Sequence, residues 1–439
     1  MEEQMKDKDI MKIADYAIGR ILQKGVDEGQ IFVTESETRE INMEYNEFTL
    51  YRTINMEDIN LLIFKDKKRG SYFTNKADND TVNMAVDMAL ASMENANADD
   101  ANGIAPDQGM IEAKKGVWEA DMDKFFDRLD EFRNDIRKSY PKISIYQIVA
   151  KHDRRHMVYR NTNGTWCNEF IGSYNIILHV TGREGENTTE LNAVAVTLKD
   201  LEKPIIKCGE IESILKNVEA QLHAKPMQGK FTGIMMLTPG VVENFTYYLG
   251  NLAGGGAILE GSSIWIDKLD KKVANEKLSI RLEVNDENIV TGETLTFDGF
   301  RSEGYDFIKE GVLKNFITNY YVSKKTGCKM SSNGAFNAII SAGDISYEDM
   351  IKKIDRGILV GSFSGGMPSV NGEFSGVAKN SFLIENGRIT GAVAEVMISG
   401  NLADMILNIE DISKETVCTG YGVYPYISAK GIVVSGKNE

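Results

Sequence analysis

Residues Asp355 to Ile409 read DRGILVGSFSGGMPSVNGEFSGVAKNSFLIENGRITGAVAEVMISGNLADMILNI and are the most informative segment of the chain. Short apolar runs alternate in it with turns centred on glycine, which is the pattern of neighbouring antiparallel strands. The pair Asn386-Gly387 is typical of a two-residue hairpin turn, because both residue types tolerate a positive φ. The pattern implies no reaction by itself. It predicts an antiparallel meander with strands at Ile358–Phe363, Glu373–Ser375, Ser381–Ile384 and Ile389–Ile398.

Outside this stretch, the hydrophobic pattern changes twice from helical to strand-like and back. Each of two units begins and ends with a segment in which apolar residues recur at helical spacing, and β-forming runs lie between these predicted helices. We therefore predict an α+β fold, in which two helix–antiparallel sheet–helix units precede a β-rich C-terminal domain. The predicted limits of the three domains are residues 1–103, 104–227 and 228–439.

The first unit shows this pattern most clearly. Its helical periods cover Asp9–Lys24 and Asp80–Met93, and a polar linker follows the second helix. The strand-like runs between the helices are Gln30–Glu35, Glu40–Tyr51 and Asp58–Phe64. In the second unit the helical periods cover Asp121–Lys138 and Glu210–His223.

Composition excludes some classes of function. The 439 residues carry a formal net charge of −15, which argues against nucleic-acid binding, because that needs a basic face to displace counterions. The first ten residues are charged and polar, unlike a secretory signal, and no apolar run reaches the ~18–20 residues that span a bilayer. The four cysteines are scattered, as in proteins of a reducing compartment. We therefore predict a cytoplasmic protein with no membrane partner.

Several motifs of the C-terminal half resemble those of one family. The order SFSGG, NGEFS, FLIENGRIT and EVMISGNLADMI, between Ser362 and Ile406, is similar to the C-terminal signature of the TldD/PmbA family. Thr296–Gly304 resembles its FDxEG-like segment with two residues inserted, and Ile308–Phe316 resembles its linking hairpin, IxxGVLxxF. Members were historically named modulators of DNA gyrase and are viewed as metallopeptidase subunits. The resemblance implies the fold of that family, and the negative charge argues against a DNA-binding reading of its older name.

One motif divides the family. TldD-type members carry HExxxH on a helix, where two histidines one turn apart hold zinc and the glutamate acts as general base on the metal-bound water. In this chain the corresponding place is Thr238–Gly250, a helical pattern that contains no histidine. The resemblance therefore implies the PmbA branch (TldE-like), which lacks the motif. We assign no catalytic residue and no metal ligand to this chain.

The four histidines give no convincing alternative zinc site. His152 and His156 have a spacing that would suit zinc on a helix, but β-forming runs flank them, so we expect a hairpin loop around Asp153-Arg154-Arg155. His179 is expected on a strand, and His223 at the end of a helix, where it meets the helix dipole favourably. Among the cysteines, Cys418 is the one with a family-based interpretation, since a cysteine near the C-terminus assists the metal in some TldD-type members; a structural thiol is the interpretation we favour.

The resemblance implies a heterodimer with an HExxxH-bearing TldD-like paralogue, in which the partner holds zinc and this chain holds none. We expect the pair to degrade or mature small or unfolded peptides, with this chain as its non-catalytic subunit. Sheet edges could add a strand to an extended peptide, since backbone hydrogen bonds grip without much sequence choice. The residues expected to line such a groove are Ser364, Gly365, Gly366, Asn371 and Gly372.

Two alternatives stay open. The chain could be a peptide-binding or scaffolding homodimer without protease activity. It could also be an independent peptidase, with zinc at His152 and His156 plus a carboxylate from elsewhere, or with a cysteine nucleophile.

Overall fold

A computed structural model describes residues 10–436. The N-terminal half consists of long strands and amphipathic helices. Its helices are α1 (Ile10–Gln23), α2 (Asn79–Met93), α3 (Met122–Ser139) and α4 (Ile211–Gln221), with a 3₁₀ turn at Ile205–Lys207. Its strands are β1 (Glu28–Glu44), β2 (Glu47–Lys65), β3 (Lys68–Thr74), β4 (Met110–Gly116), β5 (Ile143–Asn161), β6 (Trp166–Glu184), β7 (Asn187–Thr188) and β8 (Asn192–Leu198). The predicted helices are confirmed, and Asp9, the predicted start of the first, lies outside the described residues.

The strands of both predicted N-terminal units join in one sheet. Its order is β3-β2-β1-β5-β6-β4, and β7 and β8 also pair with β6. The join is the antiparallel pair of β1 and β5, which runs from Gln30 opposite Asn161 to Glu44 opposite Gln147. The first unit therefore shares its sheet with the second.

Two apolar cores lie on one face of this sheet, at opposite ends of the strands. Ile31 and Val33 of β1 pack with α1 and α2 at one end. Ile41 and Met43, farther along the same strand, pack with α3 and α4 at the other end. Side chains alternate along a strand, so these four residues share a face. One strand therefore contributes to the core of both helix pairs.

Between the two cores, the middle of the sheet carries buried charges. Glu37 is 5% exposed and accepts hydrogen bonds from Arg39 Nε at 2.8 Å and from Arg154 Nη2 at 3.1 Å. On the opposite face of the sheet, Glu169 is 1% exposed and pairs with Arg155 Nη2 at 2.8 Å. A buried carboxylate is costly unless it is paired and hydrogen-bonded, and here arginines of the same or the neighbouring strand provide both.

Two sequence predictions for this sheet are wrong, and these ion pairs, here called the ionic band, explain the first. The expected hairpin loop around Asp153–Arg155 is instead the middle of β5, which continues unbroken because its charged residues find partners on β1 and β6. The run Glu40–Tyr51, predicted as one strand, contains the turn between β1 and β2 at Tyr45-Asn46, with φ of 47° and 72°. A Tyr-Asn turn lacks the glycine that would have marked it.

The C-terminal half is built on a second, larger sheet. Its helices are α5 (Pro239–Ala253), α6 (Gly255–Glu260), α7 (Tyr320–Thr326), α8 (Tyr347–Lys352) and α9 (Leu402–Leu407). Its strands begin with β9 (Lys225–Pro226), β10 (Lys230–Leu237), β11 (Ile280–Leu282), β12 (Tyr305–Lys309), β13 (Val312–Leu313), β14 (Ala338–Ile340) and β15 (Arg356–Val360). They continue with β16 (Ser362–Ser364), β17 (Glu373–Lys379), β18 (Ser381–Glu385), β19 (Arg388–Ala394), β20 (Val396–Asn401), β21 (Ile409–Cys418) and β22 (Val423–Ser435).

The long strand β22 lies at the centre of this sheet. Through the described residues the main order is β13-β12-β11-β14-β22-β10-β15-β18-β19-β9, and β20 and β21 also pair with β22. Apolar residues of β22, α5 and α9 belong to the largest core of the molecule, which includes Phe245, Leu402 and Ile427. This core fixes the direction of α5 against the sheet.

The predicted meander is confirmed, with two breaks. Asn386 and Gly387 form the predicted turn between β18 and β19, with φ of 50° and 73°. The expected strand Ile358–Phe363 divides at Gly361, where a Cβ would lie 2.4 Å from the carbonyl oxygen of Asn380. The expected strand Ile389–Ile398 divides at Glu395, whose φ is 54°. Each break changes the strand's pairing partner, from β18 to other strands of the sheet.

The second face of the N-terminal sheet packs against the C-terminal half. The ring of Phe32 stacks on that of Phe297 at 6.2 Å. Thr197 donates its backbone N–H to the carbonyl oxygen of Thr419 at 3.0 Å, and Lys115 Nζ donates to the carbonyl oxygen of Val284 at 2.7 Å. Through the described residues, no helix has both the length and the apolar character needed to span a bilayer.

We predict that Phe132→Ala lowers the free energy of unfolding by about 3–5 kcal/mol, because Phe132 on α3 is 0% exposed and its removal leaves a cavity. Phe73→Ala on β3 serves as the control. Phe73 is 63% exposed, so its replacement should lower the free energy of unfolding by well under 1 kcal/mol. Urea denaturation followed by intrinsic fluorescence measures both. Equal effects would contradict the assignment of Phe132 to the core.

Candidate functional site

Helix α5 is the element on which a zinc motif would lie. It reads PGVVENFTYYLGNLA, follows β10, and contains a single acidic residue, Glu243. When the HExxxH pattern is laid on that glutamate, Val242 and Tyr247 occupy the two histidine positions. Val242 is 2% exposed within the core, whereas Tyr247 is 60% exposed with its ring 5.6 Å from that of Phe336.

Glu243 lies in a partly buried, aromatic environment. Burial raises the pKa of its carboxyl group, and the hydroxyl groups of Tyr424 and Thr419 act in the opposite direction. Tyr424 is 3% exposed, and burial together with the negative charge of Glu243 raises the pKa of its hydroxyl group. Glu243 therefore lies between α5 and the turn that joins β21 to β22.

A second carboxylate, Glu210, approaches the same helix from the N-terminal half. It accepts the backbone N–H of Gly240 in the first turn of α5, and a Cβ at position 240 would lie 2.3 Å from Glu210 Oε2. Burial raises the pKa of Glu210 to about 7, and the like charge of Glu243 adds to this rise. Glu210 is thus a carboxyl group that titrates near neutral pH at a domain boundary, a property that is common at functional sites.

A cavity of about 400 Å³ lies beside these carboxylates, between β8, the 3₁₀ turn and the β21–β22 turn. Cys208 and Cys418 both line it, as do the lysines Lys199, Lys203 and Lys207. The Cys418 thiol contacts the carbonyl oxygen of Asn288 at 3.5 Å, and burial raises the pKa of Cys208. The raised pKa of Cys208 is the opposite of the lowered pKa that activates a cysteine nucleophile.

The structure keeps His152 and His156 apart. Both lie on one face of β5, but four residues along a strand separate them by roughly 13 Å, too far to share a metal ion. His152 is 1% exposed, bonds the carbonyl oxygen of Val117 at 2.8 Å, and has a pKa lowered by burial. His156 stacks on Phe170 with ring centroids 4.2 Å apart. Each histidine is accounted for by its own contacts.

The residues present do not fit a zinc ion of the HExxxH type. Valine at position 242 has no donor atom, and tyrosine at position 247 points its ring toward Phe336. Within residues 10–436, no group of three or more His, Cys, Asp or Glu side chains is placed to hold a metal ion. The polar groups around α5 are instead the carboxylates of Glu210 and Glu243 and the hydroxyl groups of Thr419 and Tyr424.

The five predicted groove residues lie together in and around the loop between β16 and β17. Ser364 ends β16, and Gly365, Gly366 and Gly372 have φ of 79°, 48° and 86°. Asn371 Oδ1 accepts the backbone N–H of Glu373 at 3.0 Å. Ser364, Gly365, Gly366 and Asn371 are exposed, whereas Gly372 is buried.

This loop and Glu243 lie on different sides of α5. Phe363, next to Ser364, contacts Phe245 with ring centroids 5.3 Å apart. Residues two positions apart on a helix are about 200° apart around its axis, so Phe245 faces away from Glu243. The structure therefore does not bring the predicted groove and the carboxylate cluster together.

Sequence reasoning missed Glu210, Glu243, Thr419 and Tyr424. Glu243 had a signal, since it is the single acidic residue in an otherwise apolar helix. Glu210 had none, because its role depends on a contact with Gly240, 30 positions away.

The C-terminal half of the chain is similar to a known protein family. Residues 231–436 match the family model described as the PmbA/TldA metallopeptidase C-terminal domain. Metalloprotease PmbA of Escherichia coli O157:H7 is 30% identical over 174 residues, which are 39% of this chain and 38% of that protein. A Metalloprotease PmbA homolog of Haemophilus influenzae is 21% identical over 425 residues, which cover 92% of this chain and 91% of the homolog.

The fold is that of a solved relative along nearly the whole chain. The crystal structure of TldE from Thermococcus kodakarensis superposes with a TM-score of 0.83 at 19% identity, covering 97% of this chain and 100% of that one. The C-terminal half is thus a domain of the PmbA/TldA metallopeptidase type. The chain as a whole is similar to proteins of the TldD/PmbA family in sequence and in fold. The match to the Escherichia coli protein spans about 38% of that protein's length.

Glu210 should make stability depend on pH. Its pKa is 4.5 ordinarily and about 7 in the folded chain, so folding binds a proton between these values. The stabilisation from this group is complete below pH 4.5 and is lost as the pH rises through about 7. Glu210→Gln cannot ionise, and should be more stable than the parent protein at pH 8 by on the order of 2 kcal/mol, with little difference at pH 4.5.

Urea denaturation at pH 4.5, 6 and 8 measures this difference. Glu348→Gln, an exposed glutamate on α8, is the control and should leave the pH profile unchanged. If the free energy of unfolding of Glu210→Gln depended on pH in the same way as that of the parent protein, the raised pKa of Glu210 would be refuted.

The loop between β16 and β17 should tolerate alanine at Gly365 better than at Gly366. A Cβ at Gly366 would lie 1.5 Å from the carbonyl oxygen of Ser375, whereas nothing lies within 4 Å of a Cβ at Gly365. We expect Gly366→Ala to cost about 2–4 kcal/mol locally and Gly365→Ala about 1 kcal/mol, the cost of a positive φ alone. Hydrogen exchange of the amides in this loop and in β17 measures both; equal exchange in the two variants would contradict the predicted clash.

Proposed function

We propose that this chain is the non-catalytic subunit of a cytoplasmic zinc peptidase that degrades or matures small or unfolded peptides. Its partner would be an HExxxH-bearing TldD-like paralogue, which would hold the zinc ion. The observation that carries the proposal is helix α5, which contains no histidine: when the motif is laid on Glu243, a buried valine and a tyrosine occupy the two histidine positions. The family supports it, because relatives of this chain are named metalloproteases.

The role left to this chain is to bind peptide and to complete the complex. The loop between β16 and β17 exposes two apolar side chains, Met367 at 69% and Val370 at 52%. Large exposed apolar side chains close together favour contact with another chain. In this proposal, the backbone around Ser364 and Asn371 pairs with an extended peptide, and the two apolar side chains contact the peptide or the partner subunit.

The carboxylate cluster on α5 has a structural role in this proposal. Glu243 is held by Tyr424, and Glu210 joins the N-terminal half to the first turn of α5. In this proposal the partner's zinc ion would activate the attacking water, so neither group would act on the scissile bond.

Replacing the motif glutamate of the partner and Glu243 of this chain, one at a time, therefore gives a direct test. The chain is co-expressed with its HExxxH relative, the complex is identified by native mass spectrometry, and cleavage of an unstructured peptide is measured. We expect a one-to-one complex with one zinc ion. Exchanging the motif glutamate of the partner for Gln should abolish cleavage, whereas Glu243→Gln in this chain should retain most of it.

Three results would overturn the proposal. Loss of cleavage in Glu243→Gln, with the complex intact, would make this chain catalytic. Full cleavage by the partner alone would make it dispensable. A homodimer that binds unfolded peptide without turnover, even with the relative present, would identify a scaffold.

A further inference from the structure

A second cavity, of about 490 Å³, lies between the β2–β3 hairpin, the connection that follows α2, and two segments of the C-terminal half. Leu62 and Phe64 of β2 form its apolar floor, and they are 3% and 6% exposed. Phe297 lines it with a ring that is 50% exposed. Its size is that of cavities which bind small molecules.

Besides Asp99, two residues of opposite charge line this cavity without touching each other. Arg69 of β3 and Asp298 influence each other electrostatically, yet no ion pair within 4.0 Å joins them. Through residues 10–436, the guanidinium group of Arg69 has no hydrogen-bond or ion-pair partner. Asp298 Oδ2 accepts the backbone N–H of Tyr320 at 3.0 Å, and its other oxygen accepts no hydrogen bond from the described part of the chain. Each charge therefore keeps capacity for a ligand.

The walls are held in place by contacts that cross the domain boundary. Tyr321 donates its hydroxyl hydrogen to Asp99 at 2.8 Å, and Lys325 Nζ lies 3.0 Å from the same carboxylate. The backbone N–H of Ala101 and the Lys325 charge hold the pKa of Asp99 at about 2, so this clamp stays charged at physiological pH. Gln30 Nε2 donates to the carbonyl oxygen of Phe297 at 2.7 Å. The cavity is therefore formed before any ligand enters, which lowers the cost of binding.

We propose that this cavity binds a small zwitterion of the size of a dipeptide, with its carboxylate on Arg69 and its ammonium group on Asp298. A guanidinium group binds a carboxylate through two parallel hydrogen bonds, and a carboxylate accepts from an ammonium group in the same charge-assisted way. The apolar floor and the Phe297 ring take the side chains. This site is distinct from the loop between β16 and β17, and it does not depend on the proposed function, since the isolated chain would bind the ligand.

Isothermal titration calorimetry on the isolated full chain tests the proposal, with the dipeptide Ala-Phe as the probe. Ala-Phe with both ends free should bind. Acetylation of its amino group, or amidation of its carboxyl group, should each weaken binding by about tenfold or more.

Arg69→Gln and Asp298→Asn should each weaken binding of the free dipeptide to the same extent. Asparagine can still accept the Tyr320 N–H, so Asp298→Asn keeps that hydrogen bond. The matched controls are Arg388→Gln and Asp344→Asn, both at exposed positions of the C-terminal half, and they should bind as the parent chain does.

Failure of the dipeptide to bind would overturn the proposal, as would binding that is insensitive to blocked ends or to Arg69→Gln. Circular dichroism confirms that each variant is folded. If Asp298→Asn were unfolded, the result for Arg69→Gln together with the blocked peptides would still decide the matter. Failure here would leave the proposed subunit role untouched, because cleavage by the complex is measured separately.

Discussion

Strands β1 and β5 run side by side from Gln30 opposite Asn161 to Glu44 opposite Gln147, and this pairing joins the two N-terminal units. Both strands are apolar at their ends and charged in the middle. Each helix pair can therefore bury its apolar face at one end of the sheet, while the opposite face remains available to the C-terminal half. The position of α5, and of the groups around it, depends on this arrangement, because Thr197 reaches the C-terminal half from β8 of this sheet and Glu210 from the start of α4, which packs on the sheet.

The charged middle of the sheet also determines its register. Buried pairs such as Glu37 with Arg154 contribute little net stability, because desolvation offsets most of the attraction between the charges. These pairs act instead by destabilising other registers of the two strands. A shift of one residue would move every side chain to the other face and leave carboxylates such as Glu169 buried without a partner. The ionic band therefore specifies one pairing between long strands that could otherwise slide.

Much of the fold could be predicted from the sequence, because periodicity and turn chemistry are local signals. The helices of the N-terminal half and the turn at Asn386-Gly387 are examples. The strand through Asp153–Arg155 was missed because three consecutive charged residues favour a loop until their partners on neighbouring strands are known. The candidate site was predicted only in part: the absence of histidine from α5 was visible, but the approach of Glu210 to Gly240 is a tertiary contact that no local pattern encodes.

The central position of β22 has a consequence for how the molecule is made. The first sheet is complete once Leu198 has been synthesised, so it can form while the chain is still growing. The second sheet cannot close until Val423–Ser435 emerges, because β10, β14, β20 and β21 all pair with that strand. Until then β10 and α5 expose apolar surface on the nascent chain. The C-terminal half therefore cannot acquire its shape until this strand has left the ribosome, and any chaperone that covers β10 and α5 must act before that moment.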